Sequence, residues 1–278
     1  MQKQFFYFPH PLLRNYIRYF WVYEHQKPES FEIPLKIMAD RFPKLIVQNT
    51  QSKGGIKTAE GETLPLFFVS GVITKPLSYR ISRQQSHLGV SFAPDTLGYM
   101  FGIKPNEQKD QFADISYFVP RGFMEALGDA GTVKDKITLL TNFFIEQLTA
   151  RTFKENHGLV RNILLNFYKY RDFTVKAIAD KNKVSERSLE RNFKSFVGIS
   201  PKKYLQLYRF EMTYKNLSSN TFESFAEVSY CHGYADQSHF IRNFKKYSGM
   251  LPTTFIRELK KEDAMDVMIW NYIKLYRM

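Results

Sequence analysis

The chain has 278 residues, of which 44% are hydrophobic and 16% aromatic, so it can form one large domain or two ordinary ones and is not a disordered protein. Lys and Arg outnumber Asp and Glu by 40 to 27, which favours a polyanionic partner, nucleic acid first and an anionic membrane surface second. The single cysteine, Cys231, excludes an internal disulfide and a cysteine zinc cluster, and its place in a turn between helices favours a buried small residue. The sequence has neither a signal-peptide pattern nor an apolar run of transmembrane length, so a cytoplasmic location without a membrane partner is expected.

The first 110 or so residues are expected to be rich in β-strands. Short runs of β-branched and aromatic residues alternate there with polar, glycine and proline breaks. The predicted strands span residues 44–48, 64–69, 78–82 and 88–93, with an exposed loop over 48–63 and a helix running into a strand over 12–23.

After the last of these strands the pattern becomes helical. Asp95 is the predicted N-cap of a short helix that ends at Phe101. Apolar residues three or four apart predict further helices over residues 133–148 and 159–170. These two helices are expected to belong to the N-terminal core, with a dimerisation element or a connector as alternatives. Polar breaks predict a domain boundary within residues 150–172.

The C-terminal third contains a degenerate duplication. Several residues recur 51 positions later: Arg191, Phe193, Lys194, Gly198 and Pro201 correspond to Arg242, Phe244, Lys245, Gly249 and Pro252. Two copies are too few for a solenoid and indicate a paired module. This part is also the most basic, because residues 173–262 hold 16 Lys and Arg against 9 Asp and Glu, whereas the rest of the chain holds 24 against 18 over about twice the length.

Each copy is predicted to form a helix-turn-helix unit. In the first copy, Thr174 caps a helix that ends at Lys181. Asn182 is expected to take the left-handed conformation of the turn. Ser185 then caps a second helix, which Gly198 ends.

The second copy follows the same plan. Its first helix is predicted over residues 222–230, with Ala226 among the inward-facing residues. Gly233 supplies the turn, and Asp236 caps the second helix. A long helix over residues 201–217 is expected to join the two units and to fix the distance between them.

The second helix of each unit has a polar face opposite its buried stripe. The outward residues are Glu186, Arg187, Glu190, Arg191 and Lys194 in the first unit, and Gln237, Ser238, Ile241, Arg242 and Lys245 in the second. Arg, Gln and Glu are side chains that read base edges, and lysines contact phosphates without reading sequence. The lysines expected to contact phosphates are Lys194, Lys202, Lys203, Lys245 and Lys246. A solvated polar face is the alternative for one such helix, but two copies on a basic scaffold favour double-stranded DNA as the partner.

Several motifs of this region are those of a known family. They are Ile178-Ala179, then Ser185-x-Arg187-x-Leu189-x-Arg191-x-Phe193, then Gly198-x-Ser200-Pro201-x-x-Tyr204-Leu205, and finally Gly233-Tyr234-x-Asp236-Gln237-Ser238-His239-Phe240-x-Arg242-x-Phe244. With them, residues 173–257 resemble the DNA-binding domain of the AraC/XylS family of bacterial transcription regulators. The resemblance implies seven helices, with two recognition helices that enter successive major-groove segments on one face of the DNA.

The resemblance also implies roles for individual residues. By motif match, the base contacts are Arg187, Glu190, Arg191, Gln237, Ser238 and Arg242, and Ser185 and His239 join the lysines as backbone contacts. The connecting helix departs from the family pattern at Arg209-Phe210-Glu211-Met212, which is bulkier than usual, and at Ser218-Ser219.

The expected fold is α+β, with a mixed, β-rich regulatory domain followed by an all-α domain of two helix-turn-helix units joined by a long helix. The predicted divisions are a sensory or dimerisation domain over residues 1–150, a helical connector over 151–172, the tandem unit over 173–262 and a tail helix over 263–278. Many family members carry an inducer-binding or dimerising β-barrel at the N-terminus. Here residues 5–22, 69–76 and 89–104 resemble a less characterised N-terminal domain found in some members. The partners expected beyond DNA are a small-molecule inducer, a second copy of the chain and, for an activator, RNA polymerase.

Two other classes of function compete with a regulator. An enzyme is not expected, because the six histidines are scattered and no metal-binding, dinucleotide-binding or phosphate-loop motif is present, so no catalytic residue, cofactor or metal is assigned. A nonspecific or architectural DNA-binding protein is the alternative. It predicts weak discrimination between sequences and a steep dependence of affinity on salt.

Overall fold

The computed structural model describes residues 2–26, 32–48, 55–82, 84–150, 155–167, 174–260 and 268–269. Strands dominate the first 114 residues and helices the rest, which confirms the α+β class. The N-terminal and C-terminal parts pack directly against each other, since Met38, Ala39 and Val72 belong to the same buried cluster as the C-terminal helices.

Most strands form one antiparallel sheet. Its members are β1 (Gln2–Tyr7), β2 (Ile17–Gln26), β4 (Lys44–Gln48), β5 (Phe67–Ser70), β7 (Gln84–Phe92) and β8 (Phe112–Asp114), in the order β1-β2-β7-β4-β5-β8. A smaller sheet has the order β6-β3-β9 and contains β3 (Glu32–Ile37), β6 (Leu77–Ser82) and β9 (Met268–Ile269).

Both faces of the larger sheet are buried, because side chains alternate between them along each strand. In β2, Phe20 and Val22 face a cluster shared with helices, whereas Trp21 and Tyr23 face a cluster shared with the smaller sheet. Gly89 of β7 pairs with Trp21, and a Cβ at Gly89 would lie 1.9 Å from the indole ring. Only glycine therefore fits beneath this tryptophan.

Four helices follow the sheet: α1 (Thr96–Phe101), α2 (Arg121–Asp129), α3 (Val133–Thr149) and α4 (Glu155–Leu165). Leu140 and Phe144 of α3 are fully buried against the sheet, as predicted for a helix of the N-terminal core. Val160 and Ile163 of α4 instead belong to the C-terminal cluster. Because Arg161 of α4 also pairs with Asp95, α4 contacts both parts of the chain and is not a helix of the N-terminal core alone.

Six helices form the C-terminal part: α5 (Val175–Lys181), α6 (Glu186–Val197), α7 (Pro201–Ser219), α8 (Phe225–Cys231), α9 (Gln237–Ser248) and α10 (Pro252–Lys260). The long helix α7 lies at the centre, since Tyr204 and Phe210 are fully buried and contact aromatic rings of α6 and α9 respectively. It joins the two helix-turn-helix units as predicted.

The predicted strands are all present, three of them with shifted ends. The strand over 44–48 is β4, and the other three predicted strands overlap β5, β6 and β7. The segment 12–23 is mostly strand, because only a 3-10 turn at Pro11–Leu13 precedes β2, so the helix predicted there is wrong. The loop predicted over 48–63 falls partly outside the described residues.

The tail helix predicted over residues 263–278 is not found where the chain is described. Met268 and Ile269 are the described residues of this segment, and they form β9, which runs parallel to β3. The rest of the predicted tail helix lies outside the described residues, as do residues 151–154 and 168–172 of the predicted connector and domain boundary.

Candidate nucleic-acid interface

The first helix-turn-helix unit, α5 and α6, is built by the predicted caps. The Thr174 hydroxyl accepts from the Ala177 amide at 3.1 Å, and the Ser185 hydroxyl accepts from the Ser188 amide at 3.1 Å. Each bond satisfies an amide that the first turn of a helix leaves unpaired. The left-handed residue of the turn is Lys183, with φ 54°, rather than Asn182. The Asn182 side chain instead donates to the carbonyl of Ile178 at 2.8 Å, which closes the end of α5.

The second unit, α8 and α9, repeats this construction. Asp236 caps α9 by accepting from the His239 amide at 2.6 Å, and Gly233 has the expected positive φ of 67°. Helix α8 begins at Phe225, three residues later than predicted, because Ser224 is its N-cap. This start turns Ala226 to the surface, so the prediction that Ala226 faces inward is wrong.

The second helices of the two units, α6 and α9, are the predicted recognition helices, and their polar faces are open. All six predicted base contacts are exposed: Arg187, Glu190, Arg191, Gln237, Ser238 and Arg242. Arg191 and Arg242 occupy equivalent positions of the duplication. At three further equivalent positions the first face is charged and the second is not, since Glu186 corresponds to Gln237, Arg187 to Ser238 and Glu190 to Ile241; Lys194 corresponds to Lys245.

Besides Ser185, whose hydroxyl caps α6, and Lys203, which donates to Tyr247, two more of the predicted backbone contacts are already engaged in the free protein. Lys194 forms an ion pair with Glu190 at 2.9 Å, and both side chains remain more than half exposed. The Nδ1 atom of His239 accepts from the Ala235 amide at 3.3 Å. An exposed ion pair of this kind contributes little to stability, so breaking it would cost little free energy.

The remaining lysines gather where α7 begins and α9 ends. Lys202, Lys245 and Lys246 are exposed. Lys203 is half-buried, and its Nζ donates to the Tyr247 hydroxyl at 3.3 Å. Burial lowers the pKa of Lys203, and the nearby charge of Lys246 lowers it further. The two units thus share one basic edge.

A cleft of about 820 Å³ separates the two units and has α7 as its floor. Tyr208 and Arg209 of α7 line it together with Cys231 and His232. Cys231 is exposed there, which corrects the expectation of a buried small residue. Burial lowers the pKa of His232, and so does the charge of Arg209.

The N-terminal part is joined to α7 by a buried ion-pair network. Arg41 lies between β3 and β4, and its Nε is 2.6 Å from a carboxylate oxygen of Glu211. Lys215 contacts the other oxygen at 2.7 Å, and the Arg41 guanidinium also donates to the Tyr204 hydroxyl. Burial alone would raise the pKa of Glu211, but the charges of Arg41, Lys215 and Arg18 outweigh it and lower the pKa to about 2.

A second buried cluster joins α1, α4 and the first recognition helix. Asp95 precedes α1 as predicted but makes no side-chain capping bond. Its carboxylate instead pairs with Arg161 at 2.7 Å and with His157 at 2.9 Å, because α4 brings both basic groups onto it. The His157 ring stacks on Tyr99 with centroids 5.4 Å apart and lies 5.1 Å from Phe196 of α6.

The N-terminal part also contacts the ends of both recognition helices. Gly198 and Gly249 end α6 and α9 with φ of 84° and 78°. A Cβ at Gly198 would lie 2.5 Å from the carbonyl oxygen of Pro105, and one at Gly249 would lie 3.1 Å from Pro76. The Ala39 amide donates to the Tyr247 carbonyl at 2.9 Å, close to the end of α9. In each copy of the duplication, the glycine that ends the second helix therefore contacts the N-terminal part.

Sequence reasoning did not find the N-terminal residues beside this interface. Asn106 and Lys109 lie in a loop that lines a cleft with Lys194 and Lys203. They are about 90 residues away from those lysines in the chain, and no local motif marks them. A contact of this kind depends on how the two parts pack, which the sequence pattern does not encode.

Among the described residues, no cluster of three or more His, Cys, Asp or Glu side chains has the arrangement needed to hold a metal ion. The described helices also include none with both the length and the apolar character required to cross a membrane.

Two family models match separate parts of the chain. Residues 178–258 match a helix-turn-helix domain family, and residues 6–114 match a domain of unknown function, DUF6597. The second match covers the segments that resemble an N-terminal domain of some regulators.

Several known proteins are similar to the chain. The HTH-type transcriptional activator RhaS of Escherichia fergusonii is 31% identical over 77 residues, which are 28% of this chain and 27% of RhaS, so the chain spans about a quarter of the length of this relative. A structure of ToxT from Vibrio cholerae aligns over 87% of this chain and 99% of its own, with 10% identity and a TM-score of 0.47. An AraC-type regulator from Chromobacterium violaceum aligns over 32% of this chain and 79% of its own, with 25% identity and a TM-score of 0.30.

The capped, duplicated units and the family match define the C-terminal part as a tandem helix-turn-helix domain. Over this region the chain is similar to the transcriptional activator RhaS, and its motifs resemble those of AraC/XylS DNA-binding domains.

Proposed function

We propose that the protein is a sequence-specific DNA-binding transcription regulator. It reads two successive major-groove segments with α6 and α9. The observation that carries this proposal is the pair of exposed recognition faces, with an arginine at the equivalent position of each copy, Arg191 and Arg242. Proper caps hold both helices, so the reading side chains project from rigid elements rather than from loops.

The two faces differ, which leads us to propose an asymmetric recognition site for each copy of the chain. Arg187, Glu190 and Arg191 give α6 a charged face suited to guanine and cytosine edges. Gln237 and Ser238 give α9 a more neutral face. Of the three base contacts proposed for α9, only Arg242 carries a formal charge. We expect the half of the site that α6 reads to depend more strongly on arginine contacts.

Substitution of Arg242 tests whether this face reads bases. In a site selected from randomised duplexes, Arg242→Ala should weaken binding by about 1–3 kcal/mol and relax the preference at one base position. Arg257→Ala is the matched control, since Arg257 is an exposed arginine of α10, outside both recognition helices. A loss that is uniform across sequences would show that Arg242 contacts a phosphate instead. Equal binding by both variants and the wild type would remove α9 from the reading interface.

We further propose that the N-terminal part regulates the DNA-binding part. The N-terminal part contacts the ends of both recognition helices at Gly198 and Gly249, so a change in its conformation would alter the position of both units. A small-molecule inducer and a second copy of the chain are the two candidate inputs, and RNA polymerase is the further partner if the protein activates transcription. We propose a cytoplasmic location, where the DNA would be reached, and we assign no enzymatic activity, cofactor or metal.

Thermal unfolding of the full chain against a panel of metabolites tests the first input, and sedimentation of the full chain with and without DNA tests the second. An inducer should raise the unfolding midpoint, because it binds the folded state only. For a dimer, sedimentation equilibrium should give a molecular mass twice that of one chain. If neither effect is seen, the N-terminal part is structural rather than regulatory.

A further inference from the structure

A cleft of about 630 Å³ lies where the N-terminal part meets the first helix-turn-helix unit. The loop over residues 105–110 contributes Asn106 and Lys109 to its lining. The DNA-binding part contributes Lys194 near the end of α6 and Lys203 in the first turn of α7. Three lysines from two parts of the chain therefore line one opening.

The loop that carries Lys109 is held firmly. Asp110, which has a positive φ of 59°, accepts from both the amide and the hydroxyl of Thr74, the latter at 2.7 Å. The loop backbone is also close-packed on both sides. A Cβ at Gly71 would lie 2.2 Å from one of its carbonyl oxygens, and a Cβ at Gly198 would lie 2.5 Å from another. Lys109 thus extends from a fixed base beside α6.

Lys194 pairs with Glu190, but the acidic residues nearest to Lys109 in the loop are engaged by other groups. Glu107 of the loop pairs with Lys104 at 2.9 Å, and the Asp110 carboxylate is engaged by Thr74. Lys109 is exposed and has no ion-pair partner among the described residues. Burial lowers the pKa of Lys203, as do the charges of Lys246 and Lys109, although Asp110 partly opposes them. Lysines crowded in this way favour the binding of an anion.

The cleft begins where the reading face of α6 ends. Arg187, Arg191 and Lys194 follow one another at spacings of four and three, so they form one stripe along the helix. Lys194 is both the last residue of this stripe and a lining residue of the cleft. If α6 reads bases, the phosphates of the strand that it contacts would pass close to this end of the helix.

We propose that Lys109, assisted by the Asn106 amide, binds a phosphate of the DNA backbone next to the segment that α6 reads. The N-terminal part is then a component of the DNA interface as well as its support. The positive charge of the cleft and its continuity with the exposed stripe of α6 select a DNA phosphate as its occupant. This inference rests on the proposed function, because it requires that the protein binds DNA.

The test compares Lys109→Ala with Lys104→Ala in the full chain. Both lysines are exposed residues of the same segment, but Lys104 is paired with Glu107 and does not line the cleft. Affinity for the selected duplex is measured between about 50 and 200 mM salt. Loss of one phosphate contact should reduce the slope of log affinity against log salt by about 0.9. Lys109→Ala should show this reduction and bind on the order of fivefold more weakly, with unchanged base preferences, whereas Lys104→Ala should match the wild type.

Replacing single phosphates by uncharged methylphosphonates locates the contact. At one position beside the α6 segment, the replacement should weaken the wild type and leave Lys109→Ala unaffected. The inference is overturned if Lys109→Ala keeps the wild-type salt slope, if Lys104→Ala has the same effect, or if no position distinguishes the two proteins. If the wild type itself does not bind DNA, the proposed function fails and this inference fails with it.

Discussion

Replacing Arg41 by methionine should destabilise the whole chain by breaking the ion pair that joins its two parts. Glu211 is 1% exposed and would keep Lys215 as its remaining close partner. The pKa of Glu211, lowered to about 2 from its ordinary 4.5, corresponds to about 3 kcal/mol of stability at neutral pH. Removal of one partner of a buried pair costs about 3–5 kcal/mol in general. We therefore expect Arg41→Met to cost about 3 kcal/mol.

This loss is measured as a shift of the thermal unfolding midpoint, of about 5–10 °C for a chain of this size. The sign of the pH dependence provides an internal check. Because the folded-state pKa of Glu211 lies below its unfolded value, the ion pair stabilises the wild type fully above about pH 4.5 and less as pH falls toward 2. Arg41→Met should lose part of this acid sensitivity, and Arg41→Met combined with Glu211→Gln should recover stability because position 211 then holds no buried carboxylate.

Arg14→Met is the matched control, because Arg14 is an exposed arginine of the N-terminal part. It should unfold within about 1 °C of the wild type, as expected for a surface substitution. If Arg41→Met also unfolds at the wild-type midpoint with an unchanged acid profile, the ion pair does not join the two parts and the reasoning is refuted.

Two further substitutions test how the recognition helices are held. Gly198→Ala should destabilise the chain by more than Gly249→Ala. Both residues have a positive φ, which costs about 1–2 kcal/mol for alanine. At Gly198, however, the new Cβ also meets a backbone carbonyl, that of Pro105. Equal unfolding midpoints for the two variants would contradict this packing. Asp236→Ala removes the cap of α9, so it should lower the free energy of unfolding by about 1 kcal/mol and weaken DNA binding. Asp129 is an exposed residue at the end of α2, and Asp129→Ala should change neither stability nor DNA binding. Unimpaired DNA binding by Asp236→Ala would show that the first turn of α9 is not held by this cap.

The helix-turn-helix units could be predicted closely because their determinants are local. Each predicted cap accepts a hydrogen bond from the backbone amide three residues later, as Thr174, Ser185 and Asp236 show. The second helices end at glycines with positive φ, Gly198 for α6 and Gly249 for α9. The duplication doubled the evidence for each feature. The errors within these units are the later start of α8, the left-handed residue of the first turn, and the exposure of Ala226 and Cys231.

The N-terminal elements that were missed lack such local signals. Helix α2 contains two glycines and begins after Pro120 without a side-chain capping bond. Strand β3 contains Pro34, a residue that argues against a strand, yet it pairs with β6 along its whole length. Pairing with a distant strand overrides these preferences, and such pairing is not encoded in a short window of sequence.

The contacts between the two parts were beyond sequence reasoning for the same cause. Arg41 and Glu211 form a hydrogen bond although 170 residues separate them in the chain. The family departure at Phe210 and Glu211 now has a physical account: the Phe210 ring packs against Phe244, and the carboxylate of Glu211 receives Arg41. A bulky and charged connecting helix is what this N-terminal part requires.

The central claim is that two recognition helices read one DNA site, and selection of the full chain on randomised duplexes tests it most directly. The account predicts enrichment of an asymmetric motif in two segments about one helical turn apart, with the stronger base preferences in the segment read by α6. Equal retention of all sequences, with affinity set by salt alone, would contradict it and leave a nonspecific DNA-binding protein.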